Sequence, residues 1–151
     1  MNIVSTQYSL KDYCLEIYVS GCKGHCGTQD ICQNGELWSF DLGEPYKNWY
    51  EKISHKLQQK TMVKKCWILG GEPLDQNIDE LIDLLKFIKS FNIELWLWTS
   101  FSLEEIPAKI KELCDFIKTG KFIPNQKYYL SEYNIELASP NQKINKKGID
   151  Y

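Results

Sequence analysis

Cys22, Cys26 and Cys32 fall within eleven residues, in a stretch (20–38, SGCKGHCGTQDICQNGELW) that also holds four glycines. Thiolates are soft ligands suited to zinc, copper(I) or iron–sulfur, and a glycine-rich loop lets several of them turn toward one ion or cluster. Three is one fewer than a closed structural site takes. The spacing alone leaves two readings open: a zinc site completed by His25 or Cys14, or a cluster with one position free for another ligand. His25, lying between two of the cysteines, reads as a residue beside the metal. Cys14, Cys66 and Cys114 lie in or beside apolar runs and read as small buried hydrophobes. A second chemical stretch is Gly70-Gly71-Glu72-Pro73. Taken alone it is a turn signal; its place after a buried-type strand makes it a candidate loop at a site. A third is Trp98-Thr99-Ser100, where one of Trp96 and Trp98 is expected in the core and Trp98 on the opposite face, toward a cleft.

The elements that must position these residues follow an alternating pattern. Residues 15–19 (LEIYV) read as a first strand running into the cysteine loop. Tyr46, Trp49, Tyr50, Ile53 and Leu57 recur at helical spacing, giving a helix over 45–59. A buried-type strand over 63–69 ends at the double glycine. Asn77 with Glu80 starts the next helix, whose apolar stripe is Ile78, Leu81, Leu85 and Ile88. A third strand covers 93–99. Ser102 and Glu105 resemble a capping box, but Pro107 interrupts the ladder, so the helix proper is expected at 108–113. Residues 115–118 read as a fourth strand, and the remainder as irregular with one more strand near Tyr128 or Ile135. Strands alternating with helices imply a mostly parallel sheet. A full eight-fold barrel needs about 250 residues, so the expected fold is α/β: a partial (β/α) barrel with an open, mostly parallel sheet and its unusual loops at one edge.

The 151 residues are enough for one core, and a single domain over 1–151 is expected. The net charge of −2 offers no basic field for nucleic acid or an anionic membrane. No leader pattern and no run of about 18 apolar residues is present, so a cytoplasmic protein is expected. There, six cysteines point to metal or redox chemistry rather than disulfides.

The cysteine loop, the GGEP after the second strand, the WTSF after the third and the DFIKTGKF after the fourth together resemble the radical S-adenosylmethionine enzymes. Within them the chain is most similar to the activating proteins of anaerobic (class III) ribonucleoside-triphosphate reductase. Residues 32–38 (CQNGELW) look like the C-H-N-P-E-x-W of those activases, Gly71-Glu72-Pro73-Leu74 like their GG(D/E)PL, Gly120-Lys121-Phe122 like D-G-K-F, and Ser139-Pro140-Asn141-Gln142-Lys143 like S-x-N-Q-R.

The resemblance implies that Cys22, Cys26 and Cys32 bind three irons of a 4Fe-4S cluster and that S-adenosylmethionine takes the fourth. An electron would then cleave the sulfonium, and the resulting radical would take a hydrogen from a glycine of the reductase. It further implies that Gly70, Gly71, Glu72 and Pro73 receive the methionyl ammonium, that Trp98, Thr99 and Ser100 line the ribose and methionine side, and that Ile31 stands where an aromatic residue usually meets the adenine. The implied partners are the glycyl radical domain of the anaerobic ribonucleotide reductase catalytic subunit and an electron donor such as flavodoxin or ferredoxin. The departures are five residues between Cys26 and Cys32 where the family has two, Thr119 in place of an aspartate, and Lys143 in place of arginine. The alternatives are a radical enzyme acting on another glycyl radical protein, a peptide or a small molecule, and a zinc-stabilised α/β binding module.

Overall fold

A computed structural model describes residues 1–151. Four strands, β2 (Cys14–Val19), β4 (Lys65–Gly70), β5 (Glu94–Trp98) and β6 (Phe116–Thr119), pair in parallel to form the middle of a seven-stranded sheet. Their apolar, β-branched and aromatic composition suits strands covered on both faces. Two further strands border them antiparallel: β1 (Asn2–Ser9) beside β2, and β9 (Lys143–Lys146) beside β6, with the two-residue β3 (Glu44–Pro45) outside β1. The fold is thus mixed α/β with a large sheet. The expected open, mostly parallel sheet is there, its parallel run stopping at four strands where β1 and β9 reverse direction.

Three helices cover one face. They are α1 (Tyr50–Leu57), α2 (Ile78–Lys89) and α3 (Ala108–Leu113), and each follows one of the first three parallel strands. In α2 the Asn77 side-chain oxygen accepts from the N–H groups of Asp79 (3.0 Å) and Glu80 (3.2 Å), which satisfies two donors a helix start leaves unpaired. Leu81, Ile82, Leu84, Leu85 and Ile88 are buried against the sheet, each contributing about 1.5–3 kcal/mol relative to exposure. The Ser102–Glu105 capping box forms on a short turn, and α3 begins after Pro107 as its ring requires. The 45–59 helix is shorter than its periodicity implied: residues 46–49 form a 3-10 turn first.

The other face is aromatic. Trp67, Trp96 and Phe116 are buried on it, with Trp96 stacked on Phe116 at 4.2 Å between ring centroids. Its cover comes from the C-terminal segment, where Ile135, Leu137 and Tyr133 pack beside the short hairpin of β7 (Tyr129–Leu130) and β8 (Glu136–Leu137). Trp96 and Trp98, expected on opposite faces, share this one, because residues two apart on a strand point the same way. The same alternation puts Tyr18, Leu69, Trp98 and Lys118 at the C-terminal ends of the four parallel strands, above the aromatic layer and around one cavity.

Candidate metal centre

The cysteine loop leaves β2 through a tightly bonded stem. Gly21 N–H donates to the Leu37 carbonyl (2.7 Å) and Cys22 N–H to that of Trp38 (3.1 Å), so the loop is closed at its base before its thiols are placed. Asp75, at the start of the segment leading into α2, fastens the far side. Its carboxylate accepts from the Lys23 N–H (2.7 Å) and from His25 Nε2 (2.8 Å) with its side chain only 3% exposed.

The two glycines after β4 serve the same junction. Gly70 has φ of +119°, and a Cβ there would lie 2.4 Å from the Val19 carbonyl oxygen; one on Gly71 would lie 2.4 Å from that of Gly21. Gly71 N–H donates to Val19 O (2.8 Å) and Glu72 N–H to Gly21 O (2.8 Å). The close approach that the glycines permit is therefore to the root of the cysteine loop.

Cys22, Cys26 and Cys32 all line one cavity of about 350 Å³ at the ends of the parallel strands. All six cysteines are free thiols. Two of the sulfurs meet backbone donors: Gly24 N–H to Cys22 Sγ (3.3 Å) and Phe122 N–H to Cys26 Sγ (3.2 Å). Burial pushes the thiols of Cys22 and Cys26 up, and these N–H groups pull them back toward the thiolate. Donors on thiolate sulfur are also what tune a bound cluster. No three His, Cys, Asp or Glu side chains converge on an ion-sized point. Three soft thiolate donors around one cavity are a donor set that suits iron–sulfur.

Neither proposed fourth zinc ligand is in place. His25 is turned onto Asp75, and its ring lies 4.6 Å from that of Phe101. Cys14 is fully buried at the opposite end of β2, donating to the Leu15 carbonyl (3.4 Å). Cys66 and Cys114 are likewise fully buried, and burial raises all three thiols well above the ordinary range.

Gly70, Gly71, Glu72, Trp98, Thr99 and Ser100 share the cavity wall with the cysteines, whereas Ile31 and Pro73 do not. Ile31 belongs to the exposed stretch 27–31, which holds the extra residues between Cys26 and Cys32. Pro73 is buried as the first residue of a short turn. Glu72, expected to meet an ammonium, is 2% exposed and already filled. Its Oε1 accepts from Leu74 N–H (3.0 Å) and Thr99 Oγ1 (2.7 Å), and its Oε2 from Ser100 N–H (2.8 Å) and Ser100 Oγ (2.7 Å). In this structure it ties the loop after β4 to the loop after β5.

Several wall residues escaped the sequence reading. Lys118 is 7% exposed, with Nζ donating to the Gly120 carbonyl (3.0 Å) and lying 5.9 Å from the Trp98 ring centroid. Burial brings its pKa down to about 8, against an upward pull from Cys26 and Glu72. The signal was a lysine inside an otherwise apolar strand, FIKT. Gln142, in the SPNQK segment, reaches the wall from across the sheet edge, and Gln33 of the cysteine loop donates to Tyr128 of the covering segment (3.1 Å). The indole N–H groups of Trp38 and Trp98, both wall residues, are buried without an acceptor. An orphaned donor is costly unless something else completes it.

A family model described as a 4Fe-4S single cluster domain matches residues 13–145, a span that includes all three loop cysteines and every strand from β4 to β8. No curated protein matches the chain.

Proposed function

The chain belongs to the 4Fe-4S single cluster domain family, and from that premise we propose that it is a radical S-adenosylmethionine activating enzyme that generates a glycyl radical on an anaerobic ribonucleotide reductase. One observation carries the reading: a single loop brings three thiols, not four, to a cavity shared with the loops after the next two parallel strands. Cys22, Cys26 and Cys32 would hold the cluster, and three thiolates would leave room for the amino and carboxylate groups of S-adenosylmethionine. A cluster held there would supply the low-potential electron needed for reductive cleavage of a sulfonium.

The chain's own residues do the rest. Glu72 holds the Ser100 backbone and the cysteine-loop root in one rigid unit, so the cavity is shaped before a ligand enters. The unpaired indole N–H groups of Trp38 and Trp98 and the ammonium of Lys118 make the wall rich in donors, which suits a ligand carrying a carboxylate and ribose hydroxyls. Leu69 and Trp98 supply apolar wall that excludes water from the reacting bond. The partner is the glycyl radical domain of the reductase, the reductant a flavodoxin or ferredoxin, and the compartment the cytoplasm. No helix is long and apolar enough to cross a membrane.

Anaerobic reconstitution tests this. The expected product is a brown protein with about four irons, whose EPR signal changes on adding S-adenosylmethionine and which forms 5′-deoxyadenosine under dithionite. Cys26→Ala is expected to lose cluster binding and 5′-deoxyadenosine formation. A colourless protein holding one zinc, or a cluster indifferent to S-adenosylmethionine, would end the proposal. If 5′-deoxyadenosine forms but no glycyl doublet appears on the reductase, the substrate is another glycyl radical protein, a peptide or a small molecule.

A further inference from the structure

We infer that Lys118 sets the reduction potential of the cluster, by holding a fixed positive charge inside the cavity whose wall Cys22, Cys26 and Cys32 share. This rests on the cluster assignment and not on S-adenosylmethionine chemistry.

The position is unusual for a lysine. It lies in β6, paired in register with Trp98, on the aromatic face and at the strand end where the cavity opens. Only one of its three donors is engaged, on the Gly120 carbonyl, and no carboxylate lies within ion-pair reach. The other ionisable groups on the wall are Glu72, Glu136 and the three thiols. Glu72 has its lone pairs occupied by four internal donors, and Glu136 is exposed. The anions this ammonium faces are therefore Glu72, which keeps its charge, and the loop thiols as thiolates, Cys26 foremost; of these only the thiolates would hold the cluster.

A cluster held by three thiolates is negatively charged, and it gains one more negative charge when it takes up an electron. A buried cation attracts the reduced form more than the oxidised one, and away from water that preference is weakly screened. Lys118 thus acts through the cluster as a positioning charge, making reduction easier than the thiolates alone would allow. A lysine kept only for its stem packing on Trp98 and its bond to Gly120 would leave the potential untouched.

The test is an EPR-monitored redox titration of the reconstituted full chain, without S-adenosylmethionine and with dithionite as the reductant. Lys118→Met and Lys118→Gln remove the charge at similar length; Lys118→Arg keeps it. The neutral variants are expected to shift the one-electron equilibrium at least tenfold toward the oxidised cluster, about 59 mV more negative, with the arginine variant near the wild type. Neutral variants that hold four irons at the wild-type potential would overturn the inference. Loss of the cluster from both neutral variants but not from Lys118→Arg would overturn it as stated, since the charge would then serve to hold the cluster and not to set its potential. Loss from all three would overturn it in favour of shape. A wild-type chain that takes up no four-iron cluster would overturn both this inference and the assignment beneath it.

Discussion

Replacing Glu72 by glutamine tests the tie between the two loops that close the site. Each carboxylate oxygen accepts one backbone N–H, Leu74 on Oε1 and Ser100 on Oε2, and one hydroxyl, Thr99 or Ser100. A hydroxyl can rotate to offer a lone pair to an amide nitrogen, but a backbone N–H cannot. Whichever way the glutamine is turned, its NH2 confronts one backbone donor. That orphans a buried donor at about 1–3 kcal/mol, and the remaining bonds fall from the charge-assisted range toward the neutral one, about 1 kcal/mol less each. Relief from burying a charge offsets part of this, leaving a net loss of about 3 kcal/mol. For a chain of this size that is roughly 6–12 °C in Tm. The assay is thermal unfolding of the cluster-free protein under reducing conditions, followed by circular dichroism. A Glu72→Gln Tm within about 2 °C of wild type would show that the carboxylate is not what holds these loops together.

Three further outcomes follow from the same geometry. Under native, cluster-free conditions an alkylating reagent is expected to label Cys22, Cys26 and Cys32 and to spare the fully buried Cys14, Cys66 and Cys114 until the chain unfolds; mass mapping showing early labelling of Cys66 would contradict the packing. Asp75→Ala frees the Lys23 N–H and His25, so amide exchange across 23–26 should quicken several-fold and the cluster should be lost faster to a chelator. Because those donors can reach water, the global stability should fall by only about 1 kcal/mol; unchanged exchange would mean that the loop is held from its stem alone. Deleting three residues of the exposed bulge 27–31 is expected to leave cluster uptake intact, and iron content below half of wild type would assign the bulge a structural part, which its Gln29 contact to the Gly35 carbonyl (2.8 Å) could supply.

The local steps of this fold were legible in the amino-acid order because their causes are local. Asn77 caps the helix that its spacing to Glu80 announces, and Pro107 delays α3 to Ala108. The apolar runs form β4, β5 and β6 within a residue or two of where they read, and the three unusual loops fall at the ends of successive parallel strands as alternation requires. What stayed hidden depends on partners far along the chain. β1 reads as polar because it lies near the sheet edge between β2 and the short β3, and β9 earns its place only by pairing with β6. The exposure of Ile31 outside the cavity wall came with the stretch 27–31, which no spacing rule places inside or outside.

The sequence by itself determined which side chains could bind a cluster, since three thiols and a glycine-rich loop are matters of composition and spacing. Only the tertiary structure decided that Glu72 spends its carboxylate on Thr99 and Ser100, and that Lys118 lies buried at the wall the cysteines share. Residue type sets what a group can do, but its free lone pairs, its burial and its nearest charges are set by contacts between strands that the sequence keeps tens of residues apart.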